Sequence, residues 1–199
     1  MIHVDAQPEP SRFDAEVRQK GLAHLEKKAL PLDQPLPQGI EIADYWRACL
    51  DDLYASYHAT CAYLAVFFER STGTASVDHF VAKSRLPKDA YEWSNYRLAC
   101  RSMNASKNHF DDVLDPFLIE NGWFHLELVT GRIFPNSALD PERRAQVQAT
   151  ITRLELDDPM HRNMRARHFQ GYIEKNYIED YFKKISPLVW QEAKRQNLL

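Results

Sequence analysis

Ser76-Val-Asp-His-Phe-Val-Ala-Lys-Ser84, followed by Trp93-Ser-Asn-Tyr-Arg-Leu-Ala-Cys-Arg-Ser-Met-Asn-Ala-Ser-Lys107, decides how this chain is read. Ala75–Val81 is short, rich in alternating apolar residues, and predicts a strand that carries Asp78 and His79 to its end. A polar loop containing Pro87 follows. A second short strand is predicted near Tyr96–Cys100 and a helix from about Met103, giving the order strand, loop, strand, helix. The segment Ser-Thr-Gly-Thr at 71–74 supplies a turn ahead of it.

Outward from that stretch the pattern is mostly helical. Residues 1–10 form a polar arm in which Pro8 and Pro10 oppose regular structure. Ser11 or Asp14 is positioned to cap a first helix reaching about Lys28, with Phe13, Val17, Leu22 and Leu25 on one stripe. Pro31, Pro35 and Pro37 mark an extended linker. Ile42, Trp46, Leu50, Leu53, Tyr54 and Tyr57 recur at helical spacing and give a second helix a packing face. Cys61–Phe68 reads equally as a buried strand or the end of that helix.

Trp123–Val129 and Arg132–Phe134 flank Thr130-Gly131 as a second hairpin. Asp140-Pro141 and Asp158-Pro159 each pair a cap with a first-turn proline, opening helices to about Leu154 and past Phe169. Tyr177–Lys184 and Pro187–Arg195 complete a helical tail. The expectation is an α+β chain, mainly helical, around a central ββα element with a second short hairpin. Its expected divisions are an arm, helix and linker (1–40), a core (41–135) and a helical extension of the same domain (136–199).

Composition narrows the function classes. The chain has 199 residues, 44% apolar and 27% charged, with a net charge of −3. No apolar run approaches the roughly 18 residues a membrane span requires, and the first ten residues lack the basic start and apolar stretch of a signal peptide. A cytoplasmic location with no membrane partner is expected. Three cysteines, Cys49, Cys61 and Cys100, are too few for a disulfide framework. Local charge departs from the whole: Asp78 to Phe110 holds six cations against three anions. That excess suits either a phosphate-binding surface or a salt-bridged solvated face.

The residues in this stretch carry chemistry. Hydrolysis of a phosphodiester needs an activated water, neutralisation of charge on the phosphate, and help for the departing 3′ oxygen. Asp78 offers a hard oxygen to a divalent cation, and His79 a base that is largely neutral at pH 7. Neighbouring strand residues point to opposite sides, so metal and base can approach a phosphate from different directions. Asn104 can complete a coordination shell, although asparagine is equally at home as a helix cap. His109, five positions further on, turns away from the Asn104 face and is a weaker candidate ligand or phosphate contact.

The spacing of Asp78-His79, Asn95, Asn104 and Lys107 resembles the HNH, or ββα-metal, endonuclease family, in the variant with asparagine in place of the last histidine. The resemblance implies a metal-dependent endonuclease acting on DNA in preference to RNA, with Mg²⁺ or Mn²⁺ as cofactor. It implies His79 as general base, Asp78 and Asn104 as metal ligands, and Asn95 as a brace for the loop that positions His79. Lys83, Lys107, Arg97 and Arg101 would contact phosphate or nucleic acid. A weaker likeness rests on Cys61-Ala-Tyr63, Gly122-Trp-Phe-His125, Thr130-Gly-Arg-Ile133 and Thr150–Pro159. It extends to bacterial HNH proteins of Septu-like and retron-linked defence systems, and implies a role against phage or foreign DNA with an ATPase as partner.

Two departures from that family have consequences. Many relatives brace the ββα unit with zinc held by two Cys-x-x-Cys pairs, whereas these places here read Cys61-Ala-Tyr-Leu64 and Cys100-Arg-Ser-Met103. Two thiols remain where four are needed, so no structural zinc is expected. An apolar cluster including Leu64 and Met103 is expected in its place. Ala82 stands where the family usually turns at proline. A different class of function, a catalytically silent nucleic-acid-binding or partner-docking module, uses the same residues without the chemistry. His161, Arg162, Arg165, Arg167 and His168 form a further basic stretch, suited to a nucleic-acid backbone or to internal ion pairs.

Overall fold

The computed structural model describes residues 1–72 and 74–199. Within them the architecture is mixed α+β, with seven α-helices and three two-stranded antiparallel sheets. In chain order the elements are α1 (Gln19–Lys27), α2 (Leu50–Ser56), β1 (Thr60–Cys61), β2 (Val66–Phe67), β3 (Ala75–His79), β4 (Tyr96–Cys100), α3 (Arg101–Lys107), β5 (Phe124–Glu127), β6 (Arg132–Pro135), α4 (Pro141–Arg153), α5 (Pro159–Ile173), α6 (Glu179–Ile185) and α7 (Pro187–Arg195). The expected turn at 71–74 includes Gly73, which lies outside the described residues.

Contacts gather into two compact units that do not follow chain order. One holds residues 6–59 and 70–111; the other holds 1–5, 60–69 and 112–199. Among the described residues no helix is long and apolar enough to cross a membrane.

In the first unit, β3 and β4 pair with Ala75 opposite Cys100 and His79 opposite Tyr96, and α3 begins directly after β4. Behind the hairpin sits an aromatic cluster. Phe13 meets Trp93 and Tyr96 edge-on at 5.6 and 5.7 Å, a preferred arrangement for ring quadrupoles. Phe13 reaches the cluster from the first helix, which opens as a π-helical turn, Asp14–Arg18, and runs into α1. No side chain caps it; Asp14 instead pairs with Arg18 one turn on. Gly21 is required on α1, because a Cβ there would fall 2.1 Å from the Tyr91 ring. The second helix is shorter than its periodicity predicts. Tyr45–Cys49 is a 3-10 turn, and regular α-helix spans only Leu50–Ser56. Ile42, Trp46, Leu53 and Tyr57 are nevertheless all buried, so the stripe is real although the helix is broken.

In the other unit, Cys61–Phe68 resolves as a tight hairpin of β1 and β2, with Ala65 held at φ 51°. The Thr130-Gly131 hairpin pairs Phe124–Glu127 with Arg132–Pro135. Gly131 has φ 69°, and a Cβ on it would lie 2.0 Å from the Arg162 carbonyl oxygen. Both acidic caps form: Asp140 accepts from the Arg143 amide at 2.9 Å and Asp158 from the Met160 amide at 2.7 Å. Residues 1–5 are more than a polar arm, since Met1 is buried and the Val4 amide donates to the Pro116 carbonyl. Two arginines of the basic stretch on α5 are used internally. Arg162 pairs with Asp157, and buried Arg165 donates to the Gly131 and Leu156 carbonyls at 2.8 and 2.7 Å. Tyr172 stacks on Phe182 at 4.8 Å, which makes these C-terminal rings packing residues.

Candidate active site

β3 delivers Asp78 and His79 in adjacent positions near its end, and strand alternation sends them to different surroundings. Asp78 is 1% exposed and His79 9%. The imidazole lies between two aromatic rings from separate elements: Trp46 at 4.6 Å and Tyr96 at 5.1 Å, both edge-on. His79 Nε2 sits 3.0 Å from the Ala90 carbonyl oxygen. A carbonyl only accepts, so Nε2 carries the proton and Nδ1 is left as the basic nitrogen. Burial pushes the imidazole pKa down to about 3 from 6.5, and Lys83 and Lys107 act in the same direction. His79 is therefore neutral in the folded chain.

Asn95 lies in a 3-10 turn before β4 and is buried. Its Oδ1 accepts from the Val81 amide at 2.7 Å, and its Nδ2 donates to the Val81 and Asp89 carbonyls at 3.0 Å each. The Asn95 backbone carbonyl also accepts from the Phe80 amide at 2.9 Å. Four hydrogen bonds thus tie the loop after His79 to the turn before the second strand. Ala82 takes part in this loop: its carbonyl accepts from the Arg85 and Leu86 amides, closing the turn without proline.

Asn104 is on α3, inside the helix rather than at its cap, which is Cys100. Its Nδ2 donates to the Val77 carbonyl at 3.3 Å, leaving Oδ1 as the side chain's acceptor. Asp78, His79 and Asn104 all line one open cavity of about 730 Å³, walled further by Asp44, Trp46 and Lys83. His109 also borders it, stacked on Phe110 at 4.9 Å with Nδ1 near the Asn108 side-chain oxygen.

The four expected phosphate contacts divide. Lys83 and Arg101 line the cavity. Lys107 does not meet the solvent: its side chain is 0% exposed and its ammonium donates to the His79 and Phe80 carbonyls at 3.0 and 2.9 Å, 3.5 Å from Asp78 Oδ1. Its seven-residue helix packs the lysine inward against the end of β3, where carbonyls rather than phosphates claim its protons. Arg97 is also buried, donating to the Ser94 and Tyr96 carbonyls beside the Phe80 ring. Both cations thus lie in the interior, bonded to backbone carbonyls, unlike Lys83 and Arg101.

Trp46 and Arg47 belong to the cavity wall but went unassigned as site residues by the sequence. The only available signal was an aromatic–cation pair beside Asp44, and nothing local connects it to position 79.

The donor set suits a hard divalent cation. Asp78 supplies a carboxylate and Asn104 an amide oxygen, beside a cavity roomy enough for the waters such an ion retains. Among the described residues, no group of three or more His, Cys, Asp or Glu is placed to hold a metal. The positions compared with zinc ligands fall in different units: Cys61 and Leu64 in one, Cys100 and Met103 in the other. Cys61, Leu64 and Met103 are buried and Cys100 is partly exposed. Comparison with known protein families and with characterised proteins finds no match to this chain.

Proposed function

We propose that the cavity bounded by Asp78, His79 and Asn104 is the active site of a divalent-metal-dependent endonuclease of the HNH type, hydrolysing phosphodiester bonds in DNA. The observation that supports this reading most is the meeting in one cavity of a carboxylate, a neutral imidazole with its Nδ1 unprotonated, and a side-chain amide. These come from a strand end and from a helix that starts 22 residues later.

The chain's own groups suggest a division of labour. His79 Nδ1 would take a proton from water as the water oxygen bonds to phosphorus and the P–O3′ bond breaks, which requires the negative charge of the incoming phosphate to raise the ring's depressed basicity. The Ala90 carbonyl holds the other ring nitrogen, and so would stabilise the imidazolium formed. Asn95 braces the loop that follows His79. Asp78 and Asn104 would hold Mg²⁺ or Mn²⁺, which when bound supplies neutralisation of phosphate charge and of the departing oxygen. A role in bacterial defence, working with an ATPase, belongs to the same proposal and rests on the sequence resemblance alone.

A second reading draws on the burial of Lys107 and Arg97, which takes away two expected contacts: a catalytically silent module that binds nucleic acid or docks a partner. Incubating the pure chain with supercoiled plasmid, single-stranded DNA and RNA across a series of divalent cations separates the two. The nuclease reading expects cation-dependent fragments from DNA. Shifted but intact DNA under every cation, with or without a co-purified ATPase, would favour the silent module.

A further inference from the structure

The cavity has a charged wall that lies outside the strand–strand–helix stretch. Asp44, just before the 3-10 turn that carries Trp46, places one carboxylate between two cations. Arg47 Nη2 is 2.6 Å from Asp44 Oδ2, and Lys83 Nζ is 3.8 Å from Oδ1. Lys83 also stands 4.2 Å from the centre of the Trp46 ring, the same ring that packs on His79. Arg101, at the start of α3, is exposed and borders the same cavity.

The charges around this cavity do not cancel. Asp78 is met from beneath by Lys107 at 3.5 Å. Asp44 is shared by Arg47 and Lys83, Glu41 also acts on Lys83, and Arg101 adds a positive charge that none of these balances. Arg47 is 76% exposed and Lys83 44%, so both ammonium and guanidinium remain open to a ligand while resting on Asp44. Exposed pairs of this kind are weak, of the order of thermal energy, and a polyanion can outcompete the carboxylate.

We propose that Arg47, Lys83 and Arg101 form a backbone-phosphate clamp at this cavity, with Asp44 as the internal anion that a phosphate displaces. The inference deepens the nuclease reading by naming where the strand flanking the reactive phosphate is held. It rests on that reading only for the identity of the polyanion. Guanidinium suits this task because its planar fork matches two phosphate oxygens. Trp46 ties clamp to base, since Lys83 stands over its ring and His79 packs on the same ring at a steep angle.

The sign of the Asp44 effect makes the idea testable. Binding of a fluorescein-labelled DNA strand and of its duplex is measured by anisotropy in EDTA, without cleavage, over a series of salt concentrations. Arg47→Ala should weaken binding roughly three- to tenfold and lower the salt slope by about one. Asp44→Asn should tighten binding by a similar factor, because it removes the competing anion and leaves the cations in place. Arg144→Ala removes the same charge from an exposed helical position far along the chain and should change binding little.

Arg47→Ala binding as tightly as the parent, Asp44→Asn weakening it, or no binding by the parent chain would each overturn the clamp. The two readings fail separately. A parent that cuts DNA while Arg47→Ala binds normally removes the clamp and keeps the nuclease. The expected binding pattern without cutting under any cation keeps the clamp and removes the nuclease.

Discussion

Replacing Lys107 by methionine keeps most of the side chain's volume and removes its charge. Three groups feel the loss. The His79 and Phe80 carbonyls lose donors at 3.0 and 2.9 Å, and Asp78 loses an ammonium at 3.5 Å. Asp78 is 1% exposed, so water cannot readily take the lysine's place. A hydrogen bond from a charged donor contributes about 1.5–3 kcal/mol, and stranding one member of a buried ion pair costs about 3–5 kcal/mol. One ammonium makes all three contacts, so these figures overlap and a total of about 3–5 kcal/mol is expected. At roughly 2–4 °C per kcal/mol for a chain of this size, the melting temperature should fall by about 6–20 °C.

Adding Asp78→Asn to Lys107→Met should restore part of that loss, because it removes a buried carboxylate charge that the lysine had offset. Thermal melts of the four proteins in the cycle, with amide exchange followed at residues 79–81, provide the assay. A lysine that serves a phosphate gives the opposite pattern. Lys107→Met would melt with the parent, and the salt slope of DNA binding would drop by about one. That outcome would refute the structural assignment of Lys107.

The imidazole of His79 is held near pKa 3 by burial, while an unfolded chain titrates at 6.5. Between those values the unfolded state binds the extra proton, so this residue's contribution to stability falls as pH is lowered from 6.5 towards 3. Imidazole NMR shifts of His79 should stay unchanged down to pH 5; a titration midpoint near 6.5 would count against the buried neutral ring. Gly131→Ala adds a Cβ at φ 69° and 2.0 Å from the Arg162 carbonyl, and should cost more than about 1 kcal/mol in urea unfolding. An unchanged midpoint would show that the hairpin does not need glycine. Elemental analysis after ordinary purification should find far less than one zinc per chain; a stoichiometric zinc would overturn the expectation that two thiols are too few to hold one.

Local signals in the sequence carried far where the physics is local. Asp140-Pro141 and Asp158-Pro159 announce helix starts because cap and fixed φ act within one turn, and both helices begin there. Tyr96–Cys100 was legible as a strand, and Thr130-Gly131 as a hairpin turn, for similar reasons. Of the Ile42–Tyr57 stripe, Ile42, Trp46, Leu53 and Tyr57 are buried and Leu50 and Tyr54 half-buried, and the helix is not continuous. Apolar spacing reports which side faces the core, and a 3-10 turn at Tyr45–Cys49 satisfies the same side. Ser11 failed as a cap because the chain is already helical at Phe13, with φ −60° and ψ −45°, where no side-chain cap is used.

The candidate site was legible as a set of residues but not as a surface. Spacing brought Asp78, His79 and Asn104 together. It offered no means of knowing that Lys107 and Arg97 point inward, because lysine and arginine read as solvent-facing and a seven-residue helix has too little periodicity to object. Trp46 and Arg47 lie more than thirty positions before His79, and only tertiary packing places them at the same cavity.

Nicking of supercoiled plasmid by the pure chain with Mn²⁺ or Mg²⁺ tests the nuclease assignment most directly, with His79→Ala and His79→Gln beside it. Glutamine keeps a donor for the Ala90 carbonyl, so a fold lost in one variant need not be lost in the other. Nicking by the parent is expected, with a fall of at least about 100-fold in each variant that stays folded while its DNA binding stays close to the parent's. A well-folded variant that nicks at the parent's rate would contradict the role given to His79.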